Sequence, residues 1–457
     1  MNHSRLLLII FLCFALLLDV KAFGEDKAIV DSLSGRWLLS FEMPGGYYQT
    51  PVEFIVKPDG KVDFAVLGSL GSFNITSGSG RLSGKKLLLK AATSFGKLKL
   101  NTTLNGDKLR GEWSPASFLA SFFFKGEVIG ERDHTASTSA SRTKVFDAVW
   151  EQINTKFYDP RFNGVDWQAA RIRYRPQIES VRTDGEFVAI IRQMLAELRS
   201  SHLEFFAAPD NRPIWTPKTN AQTKAVTWRR HSPTVGYLKI SSFDDDAQSL
   251  ADIDRAFQEV GDLPSLVIDL RGNGGGSLGL GMRVGDYIFA EQHPVGYFVN
   301  RAGLTKREAA SIDQINSALL PVYSGYDSEG FYKVFEPSGG VMLATGGRAE
   351  KQYRGRVAVL IDEDCYSATE AFAGVIKETR AATLIGRRTA GAMLGADYVP
   401  LANDWMLVLP VMSFRTAGGA RVEGVGVEPD ILVKPKRRGD PELARALELL
   451  KGLKDKR

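Results

Sequence analysis

The spacing of apolar and polar residues changes character along the chain, and the changes mark its parts. Leu6 to Leu18 is an apolar run of 13 residues without a charge, preceded by Arg5 and followed by Val20-Lys21-Ala22. A basic start, a short apolar stretch and a small residue at its end predict a secretory signal peptide over residues 1–22, cut after Ala22. The run is short for a bilayer-spanning helix, and no later stretch is apolar enough to span. No integral membrane segment is therefore expected after signal removal. Residues 23–130 then show short apolar runs such as VEFIV, KVDFAVL, KLLLKA and KLKLNTTL. Turn signals separate them at Pro58-Asp59-Gly60, Ser83-Gly84 and Asn105-Gly106-Asp107. This spacing predicts an all-β module, a small antiparallel barrel or sandwich. Residues 131–142 (ERDHTASTSASR) are polar and rich in Ser and Thr, which predicts a linker with His134 exposed in it.

From Lys144 the apolar period lengthens. Val145, Phe146, Val149, Trp150 and Ile153 fall on one helix face, and Phe187, Ile190, Ile191, Met194 and Leu198 on another. The second pattern predicts a helix over about 184–198, with Asp184 as its N-cap. Beyond Pro233, strand and helix patterns alternate. Strands are predicted at 235–240, 265–270, 357–361 and 382–385, and helices at 250–260, 368–379 and 440–450. Strand–helix–strand repeats imply parallel pairing. Asp440-Pro441-Glu442 reads as a helix start.

Composition narrows the classes further. The 457 residues suggest two to four domains. With 44% hydrophobic and 24% charged residues, the chain is neither disordered, collagen-like nor coiled coil. The net charge is only +5 and no long basic tract occurs, so nucleic acid is not an expected partner. Signal removal would leave Cys365 as the sole cysteine, which excludes an intrachain disulfide. One cysteine and scattered histidines also give no metal-ligand spacing, and no cofactor is called for.

Three stretches could carry chemistry. Asp269-Leu-Arg-Gly-Asn-Gly-Gly-Gly276 ends a strand in consecutive glycines, whose bare amides can hold an oxyanion or a phosphate. It has neither the Gly-Lys-Ser/Thr of a Walker loop nor the Rossmann spacing. Cys365-Tyr-Ser-Ala-Thr-Glu370 opens a helix after a buried strand. Ser367 there either caps the helix or meets its positive end as a nucleophile. Ser201-His202 joins an amphipathic helix to the strand pattern beginning at Leu203. His202 taken alone is better explained by a structural role than by a catalytic one. Together, the three supply what a serine nucleophile needs: a base, an orienting group and oxyanion amides.

Asp269–Gly276, Ser367-Ala-Thr-Glu370 and Gly424-Val-Gly-Val-Glu-Pro-Asp430 resemble the signature blocks of the tail-specific (C-terminal processing) and tricorn-type serine peptidases. Phe157-Tyr-Asp159, Gly164-Val-Asp-Trp167 and Leu198-Arg-Ser-Ser-His202 resemble the helical start of the tricorn-type core. The resemblance covers about 143–435. It implies an α/β fold, a crotonase/ClpP-like β-β-α spiral core at 207–457, with a helical subdomain at 143–206. Tail-specific members use a Ser–Lys dyad, but Ala392 stands at the lysine position here. Arg387 and Arg388 stay protonated and cannot replace that lysine as a base. The tricorn-type pattern instead carries over Ser367 as nucleophile, His202 as base, Ser201 as helper and Glu423 as orienting carboxylate, with Glu428 as the alternative. The oxyanion amides would be Ala368 and one of Gly274, Gly275 or Gly276.

The 32 residues from Leu203 to Thr234 are too few for the PDZ domain usual in tail-specific members. Retinoid-binding relatives keep the fold without proteolysis. Gly35-Arg-Trp37 and Gly111-Glu-Trp113 resemble lipocalin-like barrels, which keeps a hydrophobic-ligand or peptide binder as the rival. A serine esterase would use the same residues. The leading expectation is an exported serine peptidase, bacterial periplasmic or extracellular, acting on peptide or protein substrates. Family members range from monomers to large rings, so oligomers are left open.

Overall fold

A computed structural model describes residues 32–452, apart from 44–45, 70–76, 94–95, 117–124, 135–137, 209–214, 218–223, 245, 348 and 437. The expected signal peptide lies outside the described residues. The first eight strands are β1 (Gly35–Met43), β2 (Gly46–Val56), β3 (Lys61–Val66), β4 (Ser77–Ser83), β5 (Lys86–Thr93), β6 (Gly96–Asn105), β7 (Lys108–Pro115) and β8 (Gly126–Arg132). Each pairs antiparallel with its sequence neighbour, and β1 also pairs with β8. The meander closes into a barrel rather than a sandwich, which removes its edges. Inward residues alternate with outward ones, as along β5 and β6, and Trp37, Phe54, Val62, Leu87 and Leu109 fill the inside. The Arg132 guanidinium lies 5.0 Å over the Trp37 ring. The three turn signals fall on the β2–β3, β4–β5 and β6–β7 hairpins.

The stretch expected as a linker is partly structured. Residues 131–132 finish β8, and α1 (Ser139–Lys156) begins inside it with a capping box from Thr138. Arg142 is buried and donates to Asp184 at 2.8 Å, so the polar composition here reflects a charged interface. Helix α2 (Trp167–Ser180) was not predicted, since Pro176 interrupts its pattern. Its buried stripe is Trp167, Ala170, Tyr174 and Ile178. The indoles of Trp150 and Trp167 each donate to the other's carbonyl, at 3.0 and 3.2 Å, and so fix α1 against α2. Helix α3 (Asp184–Ala196) is capped by Thr183, not Asp184. Thr183 accepts from Glu186 N, while the Asp184 carboxylate is turned inward to Arg142.

The core that follows holds two sheets of six strands. One has the order β11 (Val226–Ser232), β12 (Val235–Ile240), β13 (Ser265–Asp269), β17 (Arg356–Ile361), β18 (Thr383–Gly386) and β21 (Ile431–Leu432), parallel from β12 onward. The other has the order β15 (Val322–Tyr323), β16 (Gly340–Ala344), β14 (Pro294–Asn300), β20 (Trp405–Thr416) and β19 (Leu394–Leu401), with β9 (Glu204–Ala207) also on β20. Helices α4 (Ala247–Val260), α5 (Leu278–Ile288), α6 (Arg301–Lys306), α7 (Ser328–Ser338), α8 (Ala368–Thr379) and α9 (Pro441–Gly452) complete it. One apolar cluster runs from Leu238 and Val359 through Leu280 and Phe372 to Phe298 and Phe414, joining both sheets. The expected α/β core, helical subdomain and preceding β-module are all present. The boundary expected at 206/207 instead falls within β9, and β10 (Trp215–Pro217) returns to pair with β2 of the barrel. That pairing uses the edge of β2 at Gly46–Tyr48, beyond its ladder with β3.

Candidate active site

Ser367 stands between β17 and α8, where the sequence pattern placed it. The turn that delivers it is tied to the glycine-rich loop after β13. Cys365 Sγ donates to Leu270 O at 3.0 Å, Gly272 N to Asp362 Oδ1 at 2.9 Å and Tyr366 N to Asn273 O at 3.4 Å. Ser367 has φ 58° and ψ −129°, a conformation non-glycine residues rarely adopt. Its side chain makes no capping bond to α8, so the helix-cap explanation of this serine does not hold. Such strain persists only where the surroundings fix it. Here Ser367 N donates to Ala392 O at 2.9 Å.

Ala392 is itself held by a residue whose part the sequence did not disclose. The Glu370 carboxylate, fully buried, accepts from Gly391 N and Ala392 N at 2.7 Å each, and from Thr389 Oγ1. Burial pushes its pKa up. Glu370 thus shapes the 389–392 loop and turns its backbone onto Ser367. Asn273 is a second such residue. Its buried amide donates to Ile240 O at 3.1 Å and accepts from Gly275 N at 2.9 Å. An Asn set between glycines at a strand end was the available signal.

The glycine loop lies against the serine. A Cβ built on Gly275 would stand 2.7 Å from Ser367 Cβ and 3.0 Å from Ala368 N, and its φ is +89°. Gly275→Ala is therefore expected to displace the Ser367 turn and cut turnover by at least about 100-fold. Steady-state kinetics on the purified variant checks this, and a variant within tenfold of the parent would show that the loop is not seated there. The Gly275 N–H is committed to Asn273. Those of Gly274, Gly276 and Ala368 have no acceptor among the described residues.

His202 follows α3 across a turn in which Arg199 (φ 46°) and His202 itself (φ 54°) are both left-handed. Ser201 before it is anchored by the Glu423 carboxylate. Ser201 N donates to Oε1 at 2.9 Å and Ser201 Oγ to Oε2 at 2.7 Å, while Met393 N also donates to Oε2 at 2.8 Å. Glu423 is 6% exposed. It comes from the segment after β20, 222 residues away in sequence. Ser201 Oγ also lies 2.9 Å from His202 Nδ1. A hydroxyl has one proton to donate, and this one goes to Glu423. His202 Nδ1 must then carry the hydrogen, which leaves Nε2 with its lone pair free. Burial lowers the His202 pKa, and the Glu423 charge opposes that shift. Glu428 takes no part. It is exposed and lies 3.6 Å from Arg388.

His202, Ser367, Ala368 and Gly274 to Gly276 open into one cleft of about 680 Å³. No hydrogen bond joins Ser367 to His202 here. Leu278, Met282, Phe298, Phe331, Met393 and Met412 line the cleft's apolar part, Tyr332 and Tyr366 its exposed rim, and no Lys or Arg is among the described residues that line it. Among the described residues, no three His, Cys, Asp or Glu side chains are grouped to hold a metal ion.

Comparison with known proteins gives the following. Residues 234–433 match the family model of peptidase family S41, and residues 138–196 match the tricorn protease C1 domain. The C-terminal processing peptidase of Tetradesmus obliquus chloroplasts is 22% identical over 228 residues, 50% of this chain and 41% of that one. The carboxy-terminal-processing protease of Bartonella bacilliformis is 25% identical over 219 residues, 47% of this chain and 42% of that one. The chain thus spans less than half the length of these relatives. In fold it is similar to a candidate peptidase from Parabacteroides merdae, with a TM-score of 0.51 at 19% identity, over 69% of this chain and 97% of that one.

Proposed function

We propose that the chain is a serine-type peptidase of the C-terminal processing peptidase family, with Ser367 as nucleophile. One observation carries the reading: the hydrogen-bonded series Glu423–Ser201–His202 ends in the cleft that holds Ser367. His202 Nε2 takes the Ser367 Oγ proton as Oγ attacks the substrate carbonyl carbon. The resulting oxyanion is held by Ala368 N–H, with Gly274 or Gly276 as second donor. His202 then returns the proton to the leaving amine, and water releases the acyl-enzyme with His202 again as base. Glu423 acts on His202 through Ser201, fixing the tautomer that keeps Nε2 unprotonated.

The cleft supports substrates that place an apolar side chain beside the cut bond, since its depth offers Leu, Met and Phe side chains and no cation. Arg5, the run Leu6 to Leu18 and Ala22 support export by a signal peptide. Among the described residues no helix is long and apolar enough to cross a membrane. The test is mass-spectrometric mapping of cuts in an unfolded protein. The expected result is peptide cleavage after apolar residues, absent with Ser367→Ala. Ester hydrolysis without any peptide cleavage would move the assignment to an esterase.

The pH dependence has a definite direction. The working form of His202 is neutral, and burial lowers its pKa. The acid limb of kcat/KM, which reports the free enzyme, should therefore lie below the usual histidine value of about 6.5. Activity is retained through mildly acid pH and lost as pH falls through the depressed value. An acid limb centred above 7 would contradict a desolvated base.

A further inference from the structure

We propose that the N-terminal barrel is part of the apparatus that positions His202, and that Arg192 is the positioning residue through which it acts. The inference rests on the reading of His202 as the base. A non-glycine residue at φ 54° is held there only if the chain is fixed on both sides. On one side, Ser201 is bound by Glu423. On the other, β9 begins two residues after His202.

Strand β9 is itself gripped twice. One edge pairs with β20, from Glu204↔Val408 to Ala207↔Trp405. The other hold comes from the barrel residues that leave β3. Arg192, on α3, donates from Nε to Phe205 O at 3.1 Å, from one terminal nitrogen to Val66 O at 3.2 Å and from the other to Gly68 O at 2.6 Å. Ala207 N donates to Leu67 O at 2.8 Å, and Ser69 Oγ to Glu204 Oε1 at 2.8 Å. Leu67 is fully buried in the helical core instead of the barrel core. Leu67 and Ser69 thus bind the strand that continues from the base directly, and Val66 and Gly68 hold it through Arg192.

Arg192 suits the task because its planar fork reaches three carbonyls at once, which the single ammonium of lysine cannot match. Desolvation pushes its pKa down to about 10 against the attraction of Glu204 and Tyr48, as expected for a guanidinium sealed in an interface. If this connection loosens, the His202 turn can relax from its left-handed conformation. Nε2 then leaves the cleft although every residue of the series is present. The groups that face His202 are the Glu423 carboxylate behind Ser201 and the Ser367 hydroxyl across the cleft. Neither touches Arg192.

The test uses the full chain with Arg192→Met, Arg192→Lys and Ser69→Ala. It reads thermal melting, kcat and KM on a substrate cut by Ser367, and the His202 pKa by ring NMR. Arg192→Met should lower kcat about 10- to 100-fold with KM within twofold. Its His202 pKa should rise toward the ordinary value of about 6.5 as the ring becomes solvated. Arg192→Lys should recover part of both, and Ser69→Ala should move both in the same direction by less. Folded variants with parental kcat and parental His202 titration would overturn the proposal, whatever happens to their melting. If Arg192→Met does not fold, the other two variants decide by the same readings. Absence of Ser367-dependent hydrolysis in the parent would count against the peptidase reading alone, because the NMR titration reports the position of His202 without turnover.

Discussion

Replacing Ser367 by Ala is expected to lower peptide hydrolysis by about 10⁴- to 10⁶-fold while leaving the melting temperature nearly unchanged. The rate term follows from the role. Without Oγ no acyl-enzyme forms, and only substrate binding and the oxyanion donors remain to accelerate attack by water. The stability term follows from the structure. The Ser367 side chain caps nothing, and the turn is held by its backbone bond to Ala392 O and by Glu370 behind that loop. Losing one uncommitted hydroxyl should change stability by about 0.5 kcal/mol or less. Kinetics and a thermal scan on the same preparation test both halves. A large loss of stability would mean that the serine is structural.

The second large effect is expected at Glu423, where charge and packing separate cleanly. Glu423→Gln keeps the volume but cannot accept from Ser201 N, Ser201 Oγ and Met393 N as the carboxylate does. The amide nitrogen, a donor, must face either Ser201 N or the Ser201 hydroxyl with Met393 N, and where it faces the hydroxyl that group loses its acceptor and is free to donate to His202 Nδ1 instead. The ring then carries its hydrogen on Nε2, the wrong side for deprotonating Ser367. An orienting carboxylate replaced in this way typically costs about 10³- to 10⁴-fold in kcat. Glu423→Ala adds a stability cost. Three donors lose their acceptor at a site only 6% exposed, at about 1–3 kcal/mol for each group left without a partner. Glu423→Gln should therefore be folded and slow, and Glu423→Ala slow and destabilised. Denaturant unfolding beside kinetics separates them. A Glu423→Gln variant within tenfold of the parent rate would remove the carboxylate from the mechanism.

The sequence carries the site better than it carries the elements that assemble the site. Ser367 and the glycine loop were legible because local chemistry marks them: a strand end, consecutive glycines and a helix start. Helix α8 was found with its observed bounds, since its buried face is continuous from Ala368 to Ile376. Ser201-His202 stood out as a candidate stretch, but Glu423 could be named only through a resemblance, because a contact across 222 residues leaves no local trace. Asn273 and Glu370 lay inside recognised motifs, yet their work is to hold backbone groups, which composition does not encode. Helix α2 was missed because Pro176 breaks its pattern, and the 131–142 stretch was misread because charged interface residues look like solvent-exposed ones until Arg142 meets Asp184. The β10 pairing with the barrel is tertiary throughout and has no period to read.

Positive φ at both Ser367 and His202 has a physical meaning for this account. Each conformation is locally unfavourable for a side chain with a Cβ, by about 1–2 kcal/mol, and each is imposed by bonds to distant segments. Ser367 depends on the 389–392 loop, and His202 on Glu423 and on the barrel-held strand β9. The two groups come from opposite parts of the chain and meet in the cleft only when those segments are all in place.

The most direct test of the central claim is labelling of the full chain with a fluorophosphonate, beside Ser367→Ala and His202→Ala, with the adduct located by mass spectrometry. The account predicts a stoichiometric adduct on Ser367 in the parent, none in Ser367→Ala and a strongly slowed reaction in His202→Ala. An adduct on another residue, equal labelling of the Ser367→Ala protein or an inert parent would contradict it.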